Sequence, residues 1–307
     1  MGIAVHRARH GLICHEERDE TIGASLRIYG EWAEEEIYLL SAFVRPDSVV
    51  LDVGANVGTH TLAFSRFASQ GLVVAIDAQA RMHELLALNV ALNGVRNVSC
   101  IRAIAGQQTG VRFVAPENNQ TRTNFGAVAY LDPSPASESN LSLVPLCVVA
   151  LDDLCLERCE LVKIDVEGME WDVLLGARQT IARYRPPIYF EQAREDRFAE
   201  IVEFFQRAEY ALFWHAADPF NRNNLRRHAE NIFGGTRETN ILAIPQEKKE
   251  AWQQQTSSLL PIIDASYQPP PRQGSTTGWP LPENAYANLP PVGRSALAQR
   301  IAEMSGS

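Results

Sequence analysis

Residues 49–61 read Val49-Val50-Leu51-Asp52-Val53-Gly54-Ala55-Asn56-Val57-Gly58-Thr59-His60-Thr61. The first five make a buried strand, a turn of small residues follows, and the chain then enters a helix. Such a turn gathers backbone N–H groups at a helix N-terminus, where an anionic group or a ligand carboxylate is favoured. Gly54 and Gly58 provide backbone angles closed to other residues and room for a ligand to approach. Asn56 is one of the few non-glycine residues that tolerate the left-handed conformation. About 20 residues beyond Gly58 the next strand ends at Asp77, where open α/β folds place an acid that accepts hydrogen bonds from a ribose.

Outward from this turn, short apolar runs alternate with helical patterns: Val49–Val53, Leu72–Ile76, Val98–Ile104, Leu161–Ile164, Pro187–Phe190, Tyr210–Trp214 and Asn240–Ile244. In the helix over Arg81–Leu92, Met82, Leu85, Leu88 and Leu92 line one face and Asn93-Gly94 supplies the stop. This alternation predicts an α/β fold, a mainly parallel seven-stranded sheet with helices on both faces. Gly106 to Leu146 reads as an inserted β-hairpin over the cleft, with alternating segments near Val111–Val114 and Ala127–Leu131. His215 to Thr239 reads as a long loop; within it Asn221–His228 carries Arg222, Arg226 and Arg227, which suit an acidic or phosphorylated acceptor group or plain solvation.

The chain has 307 residues, 46% hydrophobic and 21% charged, which places it among globular proteins. A net charge of −9 argues against a nucleic-acid partner. No apolar run approaches the roughly 18 residues of a membrane span, and the start lacks a secretory stretch, so a cytoplasmic protein is expected. Five cysteines with no Cys-x-x-Cys pair suggest neither a disulfide framework nor a zinc site. One domain is expected over 1–247, with a helical lead-in at 1–47. Residues 248–307 hold 8 of the 17 prolines and form an extension. Near its end Leu297, Ile301 and Met304 predict a short amphipathic helix. That helix would dock on the body or on a second subunit, making a homo-oligomer.

Dinucleotide sites want Gly-x-Gly-x-x-Gly, and here Asn56 and Thr59 fall on the second and third glycine positions, which disfavours a nicotinamide-dependent reductase. An acid ending the first strand followed by Gly-x-x-x-Gly instead resembles S-adenosylmethionine-dependent methyltransferases. From about Asp19 to Pro245 the chain is similar to one branch, the FkbM family. The resemblance rests on Tyr29-Gly30-Glu31-Trp32 with Glu35, the glycine turn, Leu92-Asn93-Gly94, Asn124-Phe125-Gly126 and Leu151-Asp152-Asp153-Leu154. It rests most of all on Val162-Lys163-Ile164-Asp165-Val166-Glu167-Gly168-Met169-Glu170, with Leu174-Leu175-Gly176-Ala177 and Glu191 following. Asp77-Ala78-Gln79 departs from the Glu-Pro that relatives commonly carry.

The resemblance implies S-adenosylmethionine as cofactor, held by Asp52, Gly54, Ala55, Asn56, Gly58, Thr59, Asp77, Ala78, Asn124, Gly126 and Asp165, and methyl transfer to oxygen of a small-molecule, sugar or polyketide acceptor. A hydroxyl acceptor asks for a base at the carboxyl ends of the strands. Asp165, Glu191 and His215 are the catalytic candidates. Glu167 serves either chemistry or the dipole of the helix it starts. Asp165, Glu167 and Glu191 have the oxygen ligands that a hard cation prefers, but their spacing is not readable and no metal is assigned. His60 and Thr61 cap or pack the helix or touch cofactor, and Trp32 and Trp214 flank an acceptor or belong to the core. The rival from another class is a non-catalytic module of the same fold within a biosynthetic assembly, against which Asp52, Asp77, Asp165 and Glu191 together speak.

Overall fold

The computed structural model describes residues 2–115, 143–192, 195–266, 269–271 and 278–289. The chain opens with a hairpin, β1 (Ile3–Ala8) and β2 (Gly11–Glu16), followed by α1 (Ile22–Ile28) and α2 (Glu34–Ser41). The lead-in at 1–47 thus holds two helices, behind a hairpin that the sequence reading did not expect. The reason is non-local: the edge of β2 is completed by side chains of a later helix. Asn89 Oδ1 accepts from Cys14 N at 2.6 Å, and Asn93 Oδ1 accepts from Leu12 N at 2.8 Å. Their amide nitrogens donate back to the Cys14 and Leu12 carbonyls.

The core continues with β3 (Val49–Val53), α3 (Thr59–Phe67), β4 (Leu72–Asp77), α4 (Ala80–Leu92), β5 (Val98–Arg102) and the short β6 (Ile104–Ala105). After β7 (Gly110–Val114) and β8 (Val144–Val149) come β9 (Leu161–Ile164), α5 (Glu170–Leu175), α6 (Arg178–Tyr184), β10 (Ile188–Glu191), α7 (Phe198–Arg207), β11 (Tyr210–Ala217) and β12 (Glu238–Pro245). The extension adds α8 (Gln253–Thr256) and β13 (Leu260–Ile262). The main sheet has the order β13-β11-β12-β10-β9-β3-β4-β5. Its β10, β9, β3, β4 and β5 pair in parallel, while β12, β11 and β13 join by antiparallel pairs. All seven expected strands are present. The eighth, β13, comes from the proline-rich extension, where Pro261 is tolerated because the strand lies at the edge.

Alternation along the strands divides the core. Leu51, Val53, Ile164, Phe190 and Trp214 pack on one face of the sheet with Val173, Ile181 and Phe205. Val50, Leu161, Tyr189, Phe213 and Leu242 pack on the other with Ile37, Leu40 and Phe64 of α2 and α3. In the insertion, β7 pairs antiparallel with β8 and β6 joins β8 in parallel, giving a three-stranded sheet. The expected arm at Ala127–Leu131 lies outside the described residues, as does the helix expected around Leu297, Ile301 and Met304; the partner found for β7 is β8. The extension returns to the body at residues 278–289. There Trp279 bridges to Asn221, and the Tyr286 hydroxyl donates to Glu34 Oε2 at 3.0 Å. Among the described residues no helix is long and apolar enough to cross a membrane.

Candidate active site

The turn after β3 adopts the left-handed backbone at Gly54 (φ 77°), Asn56 (φ 51°) and Gly58 (φ 90°), the conformation expected of Asn56. Both glycines also allow close packing within the chain. A Cβ on Gly54 would lie 1.7 Å from the Asp165 carbonyl oxygen, and one on Gly58 2.7 Å from Leu86 Cδ1. The N–H groups of the turn are also taken. Gly54 and Ala55 donate to Ile76 O, Val57 to Asn56 Oδ1 and Gly58 to Ala55 O. Asn56 N donates to Asp77 Oδ2 at 2.8 Å, and Gln79 N donates to Asp77 Oδ1 at 2.8 Å. The anion held by these amides is therefore the Asp77 carboxylate itself. Asp77 with Ala78 and Gln79 lines the cleft at the carboxyl ends of the strands.

Asp52 lies beneath this turn and does not line the cleft. It is fully buried, with Thr61 Oγ1 donating to Oδ2 at 2.5 Å and Lys163 Nζ 3.8 Å from Oδ1. Thr61 thus anchors α3 to the sheet. Gly58 likewise starts α3 without reaching the cleft. In the sheet Asp52 is registered with Lys163, and Lys163 with Tyr189, so three polar side chains form a row across one face. Lys163 bridges to the cleft by donating to Asp165 Oδ2 at 3.1 Å, and the carboxylates of Asp165 and Asp52 raise its pKa despite burial.

The cleft joins the turn (Gly54, Ala55, Asn56, Thr59), the β4 end, Ala103 to Ala105, and the segment from Lys163 to Glu167 with Met169. It also takes in Glu191 beyond β10. Carboxylate oxygens of Asp165, Glu167 and Glu191 lie within 4.8 Å of one another. Burial first, then Asp165, pushes Glu167 up to about 7 and Glu191 up to about 8. A second acidic pair, Glu36 and Glu238, also lines the cleft. Burial opposes the charge on Glu36, but His60 Nε2 at 3.4 Å holds its carboxyl below the ordinary range. Burial and the charge of Glu36 push Glu238 well above that range. Asn240 Nδ2 donates to Glu36 Oε1 at 3.0 Å.

His215 lies outside this lining. Its Nδ1 is 2.7 Å from the hydroxyl of Tyr189, which does line the cleft, and its Nε2 is 3.6 Å from Glu35 Oε1. Trp32 lines the cleft, whereas Trp214 packs into the opposite face of the sheet against Phe198. The arginine loop does not reach the cleft either: Glu31 accepts from Asn221 Nδ2 and Leu225 N, and Arg226 N donates to Tyr29 O. Asn124 and Gly126 lie outside the described residues. Sequence reasoning missed Glu36, Glu238, Asn240 and Tyr189 as cleft residues. One signal was available: Lys163 interrupts an apolar strand, which in a buried sheet demands nearby carboxylates.

These residues fit S-adenosylmethionine. Asp77 puts a carboxylate at the cleft where the end of β4 would meet a ribose, and the apolar edge formed by Ile104 and Met169 with Ala78 suits a purine. The acids with raised pKa lack the positive charge that a sulfonium and an ammonium carry. Residues 52–212, more than half of the chain, match the model of the methyltransferase FkbM domain. A methyltransferase FkbM structure from Methylobacillus flagellatus is similar at 15% identity and a TM-score of 0.45, covering 67% of this chain and 47% of that one. AMB antimetabolite synthetase AmbE of Pseudomonas aeruginosa is 26% identical over 181 residues, covering 48% of this chain and 8% of its own. Methyltransferase 1 of Beauveria bassiana is 27% identical over 165 residues, covering 48% of this chain. The chain spans only 66% of that second protein's length. The match over 52–212, whose limits enclose both the glycine turn and the acidic segment after β9, decides the family: the chain belongs to the FkbM family of S-adenosylmethionine-dependent methyltransferases.

Proposed function

We propose that the protein moves a methyl group from S-adenosylmethionine to a hydroxyl oxygen of a small-molecule, sugar, glycan or polyketide acceptor. The observation that carries this reading is the cleft itself, with a carboxylate-bearing turn on one side and under-compensated carboxylates on the other. Bound there, S-adenosylmethionine supplies an electrophilic methyl carbon. Asp77 takes the ribose and the stretch Gly54 to Asn56 with Thr59 borders the amino-acid end. Asp165, oriented by Lys163, faces the positive charge. Glu191 carries its proton up to pH about 8 and so acts at neutral pH as a hydrogen-bond donor that orients the acceptor. Holding acceptor and donor at near-attack distance is the main requirement and is worth up to roughly 7–11 kcal/mol. The protein works in the cytoplasm, and its extension serves docking onto the body.

Calorimetry with S-adenosylmethionine, followed by a transfer screen on glycans, macrolides and nucleotide sugars, tests the reading. Saturable donor binding that Asp165→Asn weakens, together with a methylated hydroxyl, is the expected outcome. A folded protein that does not bind the donor at millimolar concentration would overturn it.

A further inference from the structure

One polar contact in the core has no part in the roles above. Tyr189 is 1% exposed and packs in the cluster of Val50, Leu161, Phe213 and Leu242, yet it also lines the cleft. Behind it stands His215, 5% exposed, with Nδ1 2.7 Å from the Tyr189 oxygen. Behind His215 in turn stands Glu35, Oε1 3.6 Å from Nε2, and the other oxygen of Glu35 accepts from Asp218 N at 2.7 Å. His215 and Glu35 line a second cavity between α2, β11 and the extension. The Tyr189–His215 contact is therefore the wall between two cavities, with the phenol on the cleft side and the imidazole on the other. A carboxylate beside Nε2 favours the tautomer with its proton there, which leaves the Nδ1 lone pair to accept from the phenol.

We infer that Tyr189 is a catalytic residue that takes the acceptor's hydroxyl proton, with His215 and Glu35 as positioning residues that draw the phenol's own proton away. The inference rests on the hydroxyl-acceptor reading above. One proton moves in each of two coupled transfers. The acceptor O–H bond breaks as a new O–H bond forms on Tyr189, and the old phenol O–H bond breaks as N–H forms on His215 Nδ1. The positive charge so created rests on an imidazolium facing Glu35, whose side chain is 17% exposed and leads the proton outward. Burial and the neighbouring Glu36 and Glu238 push the Tyr189 phenol well above its ordinary pKa, so a resting tyrosinate does not form and the two transfers must be concerted. This route explains how His215 serves the reaction from outside the cleft.

The test uses the full chain with tritiated methyl donor and a panel of alkyl glycosides and macrolides as acceptors. Tyr189→Phe keeps the ring and its packing, and is expected to lower kcat by about 100-fold or more while KM and the donor Kd stay within twofold. Glu35→Gln, which alters no cleft residue, is expected to lower kcat by a smaller factor with the same unmoved KM and Tm. Nitrogen NMR of labelled histidine should show His215 protonated at Nε2 and bare at Nδ1, with the Nδ1 signal shifting in Tyr189→Phe. If the parent methylates a panel hydroxyl and folded Tyr189→Phe does so within twofold of its rate, the relay is wrong and the broader reading stands. Donor binding without transfer to any hydroxyl would remove the broader reading and the relay with it.

Discussion

The two walls of the cleft are built on opposite principles. On the glycine-turn side every amide from Gly54 to Gly58 has a partner within the chain, and Asp77 fills the nest that a ligand anion would otherwise occupy. On the opposite side Glu167, Glu191 and Glu238 are held at raised pKa by burial first and then by the neighbouring carboxylates. The first wall is structurally complete and gives the second its geometry, since the Asp165 carbonyl packs against Gly54. The difference teaches that stability and function are separated across a few ångströms. Groups partnered within the chain hold the shape, and the under-compensated acids face them across the cleft.

The sharpest way to break this division is at the contact between the walls. Gly54→Ala puts a methyl group into the Asp165 carbonyl at a left-handed position, and should cost roughly 3–5 kcal/mol of stability, read by denaturant unfolding. Next, Lys163→Met strands Asp52 and Asp165 without their cation; a loss of about 3 kcal/mol or more is expected, with donor binding weakened as well. Thr61→Val removes the hydrogen bond that Thr61 Oγ1 donates to the buried Asp52 while touching no cleft residue. It should cost about 1–3 kcal/mol in thermal unfolding and leave donor affinity unchanged in the folded protein. If Thr61→Val instead abolished binding while sparing stability, the separation of the two walls would be wrong.

The smallest effect is a pH dependence confined to the acidic wall. Glu191 and Glu167 have folded-state values near 8 and 7, above those of an unfolded chain, so the native state binds the extra protons. Their contribution to stability is therefore present at acid pH and is lost as pH rises from about 4.5 through 8. Glu191→Gln should flatten the fall in Tm over that window. A cationic donor favours the ionised form of Glu167, so its affinity should rise as pH passes about 7, and calorimetry in buffers of different ionisation enthalpy should report proton release. Uptake of protons on binding would place the donor's charge elsewhere.

Much of the fold was legible because strand alternation, a helix-stopping Asn-Gly and a small-residue turn are local signals. The seven strands, the left-handed Asn56 and the placement of Asp77, Asp165 and Glu191 on one cleft follow from them. The N-terminal hairpin did not, because β2 is completed by Asn89 and Asn93, about eighty positions away. Nor did the strand added by Leu260–Ile262, whose prolines conceal an edge partner.

Taken alone, the amino-acid order determined which residues would sit at the carboxyl ends of parallel strands, since a strand's length and its bounding turn are encoded within a dozen positions. Only tertiary structure decided which of those side chains meet a ligand and which meet each other. It buried Asp52 under the turn, placed Tyr189 between the cleft and His215, and brought Glu36 from the lead-in to Glu238 at the start of β12. The physical reason is that the charge state and accessibility of a carboxylate depend on neighbours supplied by distant elements, and no local pattern records who those neighbours are.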